Sequence, residues 1–354
     1  MKTISILLTN ITKAAGTERA VVNLANILSS LGYSVIILST DSKDGFPAYN
    51  LDEKVIIFHF GLKIASAKGF FKVAEYKKLK QQIENLIKEK RIDCIVGTYS
   101  FFNALITKIK NVKTIGCEHF NYFSASKFHR IVRRIFYPRL DAVVVLTEHD
   151  KKHYSFLKNC FLIPNSLSFQ TEIKTSWSEK KVLSIGRLTK QKGFDFLIEA
   201  VKELKNDFPD WHFEIVGTGE DEKLLKDLVS KYKLKDNVLF LPPTKDVVSL
   251  YKSASIYCMS SRWEGLPMVL IEAQCCGLPI ASFDCPEGPA EVVLNNENGF
   301  LCKSENSHDL AEKLKFLMND KSLREKFGKN AYECSKRFSS ETIGEKWRRL
   351  LENL

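Results

Sequence analysis

Short apolar runs recur along the chain, each separated from the next by a stretch of helical periodicity, and this alternation restricts the fold more than any other feature. The first series reads TISILLT at 3–9, SVIILS at 34–39, 55–59, DCIVG at 93–97, 112–117 and DAVVVL at 141–146. A second reads KVLSI at 181–185, HFEIV at 212–216, 237–241, 255–258 and 279–283. Nearly continuous apolar strands alternating with helices predict parallel sheets covered on both faces. Between 17 and 31, for example, Ala20, Val21, Leu24, Ala25, Ile27, Leu28 and Leu31 share one helical face, and Gly32 ends the helix. The pattern lapses in the polar stretch NSLSFQTEIKTSWSE (165–179) and restarts at Lys181. The expectation is therefore α/β, with two doubly wound, Rossmann-like domains spanning 1–167 and 168–339. The last helix, 340–354, is followed by no strand and can pack against either domain, including back on the first. Ligands of such sheets lie beyond the carboxyl ends of the strands, so the residues that follow strands are the ones to read.

Composition removes several alternatives. A chain of 354 residues with 44% hydrophobic and 27% charged residues buries its core without staples. Its longest apolar stretches, such as Ala142–Leu146, fall far short of the roughly 18 residues of a membrane span. Ile4–Leu8 behind one lysine is too short for a secretory leader, so a cytoplasmic protein is expected. Nine cysteines without a CxxC pair read as reduced, mostly buried thiols and give no zinc spacing. Charge is uneven. Residues 60–140 hold 17 Lys/Arg against 5 Asp/Glu, in a chain whose net charge is +11. The first half is built to face something negative: a nucleic acid, an anionic bilayer or a phosphorylated substrate.

Several loops after strands carry chemistry. In IGRLTKQKG (185–193), Arg187 and Lys192 lie between a strand and a helix N-terminus, where both can reach one anionic group and a diphosphate is a natural occupant. In SRWEGLPMVLIE (261–272), Gly265 permits close backbone approach, Pro267 suits a first helical turn, and Glu264 and Glu272 can accept hydrogen bonds from sugar and ribose hydroxyls. Glu272 sits among Val269, Leu270, Ile271 and Ala273, a costly place for an unpartnered carboxylate. The loop TKAAGTER (12–19) is a modest glycine loop, and VGTGE (216–220) holds two glycines; neither is a GxGxxG fingerprint. CEHF (117–120) places His119 at a strand end, and CPEGPAE (285–291) makes a rigid turn carrying Glu287 and Glu291. No DxD or DxH pair is present to hold a divalent ion, and neither a GxxxxGK[ST] phosphate loop nor a GxSxG elbow occurs.

Together these segments resemble the retaining glycosyltransferases of family 4, with the GT-B fold, over nearly the whole chain. GRLTKQKG, VGTGEDEKLLK and EGLPMVLIEA, with seven residues between Glu264 and Glu272, are the specific part; GTERAVVNLANIL, EHF, VVVLTEHD and IPNSL match more loosely. CPEGPAEVV is similar to bacterial members that build surface polysaccharides and lipid-linked oligosaccharides. The resemblance implies two domains facing across a cleft. It further implies a transfer of a hexose or N-acetylhexosamine, with retention, from a nucleotide sugar (UDP by family habit) to a glycolipid or lipid-diphosphate acceptor at the inner face of the plasma membrane. Arg187 and Lys192 would hold the donor diphosphate and Glu272 the ribose. Glu264 and the backbone of Gly265, Leu266 and Pro267 would contact sugar and phosphate. Gly16 would let its loop close on the diphosphate, His119 would approach the reacting carbon, and Gly217 would lie near the base. The family's loop usually reads Gly-Gly where this chain has Ala15-Gly16. No metal or other cofactor is expected, because guanidinium, ammonium and amide groups would meet the leaving charge. A nucleotide-sugar epimerase or a phosphorylase on the same plan, and a basic nucleic-acid-binding protein, are the competing readings. The last lacks stacking platforms or a groove-reading module.

The segment SKFHRIVRRIFY (126–137) interleaves Phe128, Ile131, Val132, Ile135 and Phe136 with Lys127, Arg130, Arg133 and Arg134. It reads equally as a basic amphipathic helix on an anionic membrane surface and as a helix burying its apolar stripe in the core.

Overall fold

A computed structural model of the chain describes residues 2–67, 69–119, 122–169, 171 and 175–354. Two compact units emerge, Met1–Ser168 with Ser339–Leu354, and Phe169–Phe338. Gln170 and residues 172–174 of the polar stretch, and Phe120 of CEHF, lie outside the described residues.

The first unit runs β1 (Thr3–Leu8), α1 (Gly16–Ser30), β2 (Ser34–Ser39), β3 (Ile56–His59), α2 (Gly69–Lys90), β4 (Cys94–Gly97), α3 (Ser100–Ile106), β5 (Lys113–Cys117), α4 (Lys127–Phe136), β6 (Ala142–Val145), α5 (Glu148–His153) and β7 (Cys160–Leu162). Its seven strands are all parallel, in the order β3-β2-β1-β4-β5-β6-β7. The second unit runs β8 (Lys181–Ile185), α6 (Phe194–Leu204), β9 (His212–Val216), α7 (Glu222–Lys231), β10 (Val238–Leu241), α8 (Val247–Lys252), β11 (Ile256–Met259), α9 (Met268–Cys275), β12 (Ile280–Phe283), α10 (Pro289–Val292), β13 (Gly299–Cys302), α11 (Ser307–Asn319) and α12 (Lys321–Ser335). Its six strands are also parallel, in the order β10-β9-β8-β11-β12-β13. Each sheet therefore reverses its winding once, between β1 and β4 and between β8 and β11. Loops leaving those strands diverge and open a crevice at the carboxyl edge.

The strands form where β-branched and aliphatic residues cluster, and they are buried on both faces: all of Val182–Ser184 and Ile280–Phe283 are inaccessible or nearly so. Two edge strands, β7 and β13, have no counterpart among the apolar runs. CFL is three residues long and only half buried, and GFLC opens on a glycine. The final helix, α13 (Ser340–Glu352), packs on the first unit. Ile343, Trp347, Leu350 and Leu351 join the cluster made by Val21, Leu24 and Leu28 of α1 and the strands beneath. Each such side chain contributes on the order of 2 kcal/mol by leaving water. Lys2 Nζ donates to the Leu351 carbonyl at 2.6 Å, tying the two chain ends of that unit together.

Among the described residues no helix is long and apolar enough to cross a membrane. All nine cysteines are free and seven are buried.

Candidate functional site

In the second unit the loops that leave β8 and β11 are stitched to each other by groups the motifs did not single out. Gly193 ends the turn after β8 with φ +61°, and a Cβ there would lie 2.1 Å from the Ser260 carbonyl oxygen. Only glycine lets this turn lie against the end of β11. The Arg262 amide donates to the Gln191 carbonyl (2.8 Å), and Gln191 Nε2 donates to the Trp263 carbonyl (3.0 Å). The Arg262 guanidinium forks onto Asp195 of α6 (2.8 and 2.5 Å) and stacks over Phe196 at 4.4 Å. The fork fixes the loop that carries Glu264. As a result Lys192 Nζ meets Glu264 Oε1 at 2.6 Å, with both side chains mostly buried. Lys192 also runs its stem past Gly186, where a Cβ would sit 3.3 Å from it.

Arg187 is exposed and lines a cavity of about 200 Å³ with Gly186, Gly217, Thr218, Pro243 and Thr244. Gly217 is required by sterics: with φ +154°, a Cβ would come 1.9 Å from the Gly186 carbonyl oxygen. The glycine thus draws β9's exit loop against β8's and shapes the wall of the cavity.

Glu272 lies one turn into α9, and Pro267 is the N-cap rather than a first-turn residue. The Glu272 carboxylate is 2% exposed, and its Oε2 accepts from the Tyr251 hydroxyl at 3.0 Å. Burial, then the nearby Glu272, push the Tyr251 phenol well above its usual range, so it stays a donor. Tyr251 packs on Tyr257 (ring centroids 5.7 Å apart), whose hydroxyl accepts from the Ile185 amide at 3.2 Å. This aromatic pair connects the carboxylate to the end of β8. The sequence alone gave no sign of either tyrosine, because each is an ordinary apolar position in its element. The turn after β12 closes on the same loop. Gly288 has φ +91°, and a Cβ would lie 1.7 Å from the Gly265 carbonyl oxygen and 2.7 Å from Pro267 Cδ. Glu287, buried, holds φ +68° beside it. Leu266 is buried, and Gly265 is partly exposed.

In the first unit Gly16 opens α1, exposed, with no atom within 4 Å of where a Cβ would be. Its presence therefore has no steric reason within this unit. His119 follows β5, lining a small cavity with Ala20, Leu24, Cys117, Pro164 and Trp347. Its Nδ1 is buried with no hydrogen-bond partner among the described residues. Burial lowers the imidazole to about 4, so it is neutral at physiological pH. Helix α4 splits its apolar residues: Val132 is buried and Phe136 packs against the core, while the other three face outward. Phe128, Ile131 and Ile135 are 60%, 54% and 53% exposed, beside Phe123 at 56%. The one strongly buried cation of the helix is Arg133. Arg130 and Arg134 line a cavity of about 480 Å³ with Phe123, Ile131, Lys152 and His153.

A family model described as glycosyl transferases group 1 matches residues 169–334, and one described as glycosyltransferase family 4 matches residues 14–166. The chain is 34% identical to an uncharacterized glycosyltransferase of Haemophilus influenzae, over 99% of this chain and 100% of that protein. It is 31% identical to the amylovoran biosynthesis glycosyltransferase AmsD of Erwinia amylovora, over 98% of each. It is also 31% identical, over 96% of this chain and 95% of the relative, to a Campylobacter jejuni enzyme. That relative is the GalNAc-alpha-(1->4)-GalNAc-alpha-(1->3)-diNAcBac-PP-undecaprenol alpha-1,4-N-acetyl-D-galactosaminyltransferase. Among solved structures, Staphylococcus aureus TarM superposes with a TM-score of 0.85 at 18% identity, covering 99% of this chain and 98% of that one. Anabaena Alr3699/HepE in complex with UDP superposes at 0.80 and 18%, covering 100% of both.

Proposed function

The chain belongs to the group 1 and family 4 glycosyltransferases and has their GT-B fold; from that premise we propose that it is a retaining, metal-independent enzyme of bacterial surface-polysaccharide synthesis. It moves a hexose or N-acetylhexosamine from a UDP-sugar to a lipid-linked or lipopolysaccharide acceptor. The observation that carries the reading is the stitched pair of loops at the winding reversal of the second sheet. There Lys192 and Glu264 meet at 2.6 Å beside the Arg187 cavity.

In this scheme the cavity of Gly217 and Thr244 takes the base, Glu272 accepts from the ribose hydroxyls, and Arg187 and Lys192 meet the diphosphate. Lys192 is pre-paired with Glu264, so the ammonium is held in place before the donor arrives, and positioning costs little at the moment of reaction. Glu264, the amides of Gly265 and Leu266, and the ring of Pro267 then face sugar and phosphate. The bond from the anomeric carbon to the diphosphate oxygen breaks, the acceptor oxygen bonds to that carbon from the same face, and the acceptor's proton passes to the leaving oxygen. No protein base is needed. His119, neutral, hydrogen-bonds the sugar near the reacting carbon, and Gly16 leaves its loop free to approach the diphosphate.

The acceptor side follows from the first unit. The exposed apolar residues of α4, flanked by Arg130 and Arg134, suit peripheral contact with an anionic bilayer from the cytoplasmic side. The basic cavity beside them suits a phosphorylated acceptor head. The Erwinia and Campylobacter relatives, whose names record amylovoran synthesis and an undecaprenyl-diphosphate acceptor, support that class. The UDP in the HepE complex supports the nucleotide.

The test is a donor screen: purified protein with UDP-, GDP- and ADP-sugars, with and without EDTA, read as nucleotide release and as the anomeric configuration of the product. UDP release indifferent to EDTA, with an α-linked product from an α-linked donor, is expected. Silence with every donor overturns the reading; loss on EDTA overturns metal independence, and an inverted product overturns retention.

A further inference from the structure

One side chain holds both ends of the segment that carries His119. Arg133 lies in the middle of α4 and is 2% exposed, turned inward where its neighbours Arg130 and Arg134 face a cavity. Its Nη2 donates to Glu118 Oε2 at 2.5 Å, and its Nη1 donates to the Tyr122 carbonyl at 3.2 Å. Glu118 immediately precedes His119, and Tyr122 follows three residues later. A single guanidinium therefore bonds to a residue on each side of His119. Other groups close the remaining directions. Glu118 Oε1 accepts from the Tyr137 hydroxyl and from Asn103 Nδ2, the latter at 3.3 Å. The Tyr122 amide donates to Asp150 Oδ1 of α5 at 3.0 Å.

The surrounding sheet is shaped for this network. Gly97 and Gly116 are register partners on β4 and β5. A Cβ on Gly97 would lie 2.3 Å from Asn103 Oδ1, and one on Gly116 would lie 3.1 Å from Asn103 Cγ. The two glycines make the notch that lets Asn103 reach Glu118.

Stability alone does not explain the arrangement. A buried ion pair is often no more stabilising than apolar residues of the same volume, and here Arg133 Nε has no partner among the described residues. What the fork supplies that packing cannot is direction: two bonds at a set angle to two points of one loop. We infer that Arg133 is a positioning residue for His119, with Glu118 as its counterpart and Tyr137 completing the clamp. The inference rests on the reading of His119 as the group that meets the donor sugar.

A double-mutant cycle tests it, once wild-type transfer has been shown. Arg133→Lys keeps the charge beside Glu118 but loses the second arm to Tyr122. It is expected to lower kcat about tenfold and to change the donor KM by less than about twofold. In a His119→Asn background the same substitution is expected to cost less than about twofold, because there is no imidazole left to place. Equal losses in both backgrounds overturn the inference. Tyr137→Phe keeps the ring and removes one bond, so it carries the cycle should Arg133→Lys fail to fold, with about a threefold loss expected. Histidine-selective ¹⁵N spectra need no residual activity. The His119 resonance, assigned by its absence in His119→Asn, is expected to shift in both clamp variants while those of His212 and His308 stay in place. An unmoved His119 overturns the inference. Absence of transfer by the wild type would count instead against the proposed function.

Discussion

The two units share one winding plan and use charge in opposite ways. In the second, Lys192, Glu264 and Arg187 sit on loops at the carboxyl edge of the sheet: Lys192 pairs with Glu264 and Arg187 faces a cavity. In the first, the tightest pair, Arg133 with Glu118, is sealed inside, with side chains 3% and 4% exposed. The cations left on the surface of its fourth helix stand beside exposed Phe128, Ile131 and Ile135. Charge at the mouth of a crevice can meet a ligand's charge. Charge within the core can only set geometry, and charge among exposed apolar groups suits an extended anionic surface. A common fold thus holds charge in three settings, separated by depth.

The contrast can be broken most sharply at the crevice. Arg187→Ala or Lys192→Ala is expected to lower turnover by roughly a factor of 10³ while the thermal midpoint moves by only a few degrees. Near wild-type turnover in either variant would remove the diphosphate from this edge of the sheet. Glycines sharpen the comparison next. Gly288→Ala drives a Cβ into the Gly265 carbonyl at a left-handed φ and is expected to cost about 3 kcal/mol or more, seen as a lowered midpoint. Gly16→Ala meets nothing. It should hold or raise the midpoint, since alanine favours a helix by up to about 1 kcal/mol, and yet lower turnover about tenfold. Unchanged turnover in Gly16→Ala would assign that glycine no part in the reaction. The smallest effect concerns the surface. Arg134→Gln should weaken pelleting with anionic vesicles at low salt about fivefold, the equivalent of about 1 kcal/mol. Lys231→Gln, on an exposed helix of the second unit, should leave pelleting unchanged. Equal losses, or equal pelleting with neutral vesicles, would erase the distinction between the two units.

Much of the architecture is legible in the residues because it depends on local composition. Aliphatic β-branched runs such as Val143–Val145 have one stable destination, a strand covered on both faces, and the helical stretches between them leave only parallel crossovers. Edge strands escape this logic. CFL at 160–162 is short and half exposed, and its strand character comes from pairing with β6 rather than from its own side chains. The same division runs through the site. Arg187, Lys192 and Glu264 stand out because charged residues next to glycine at a strand end have few structural uses, and Glu272 because a carboxylate among aliphatic neighbours is costly to bury. Tyr251, Tyr257, Asp195 and Arg262 do not, although they hold those groups in place.

The order of residues is enough to specify the two parallel sheets, the loops that carry charge, and the uneven distribution of cations, since each follows from which residue types are neighbours along the chain. It took the folded chain to show that α4 turns Arg133 inward beside Val132 and leaves Phe128, Ile131 and Ile135 outward. Helical periodicity places residues on faces but does not say which face meets the core. Here Glu118, waiting at the end of β5 with Tyr137 and Asn103 around it, offers the guanidinium hydrogen bonds that no isoleucine could make.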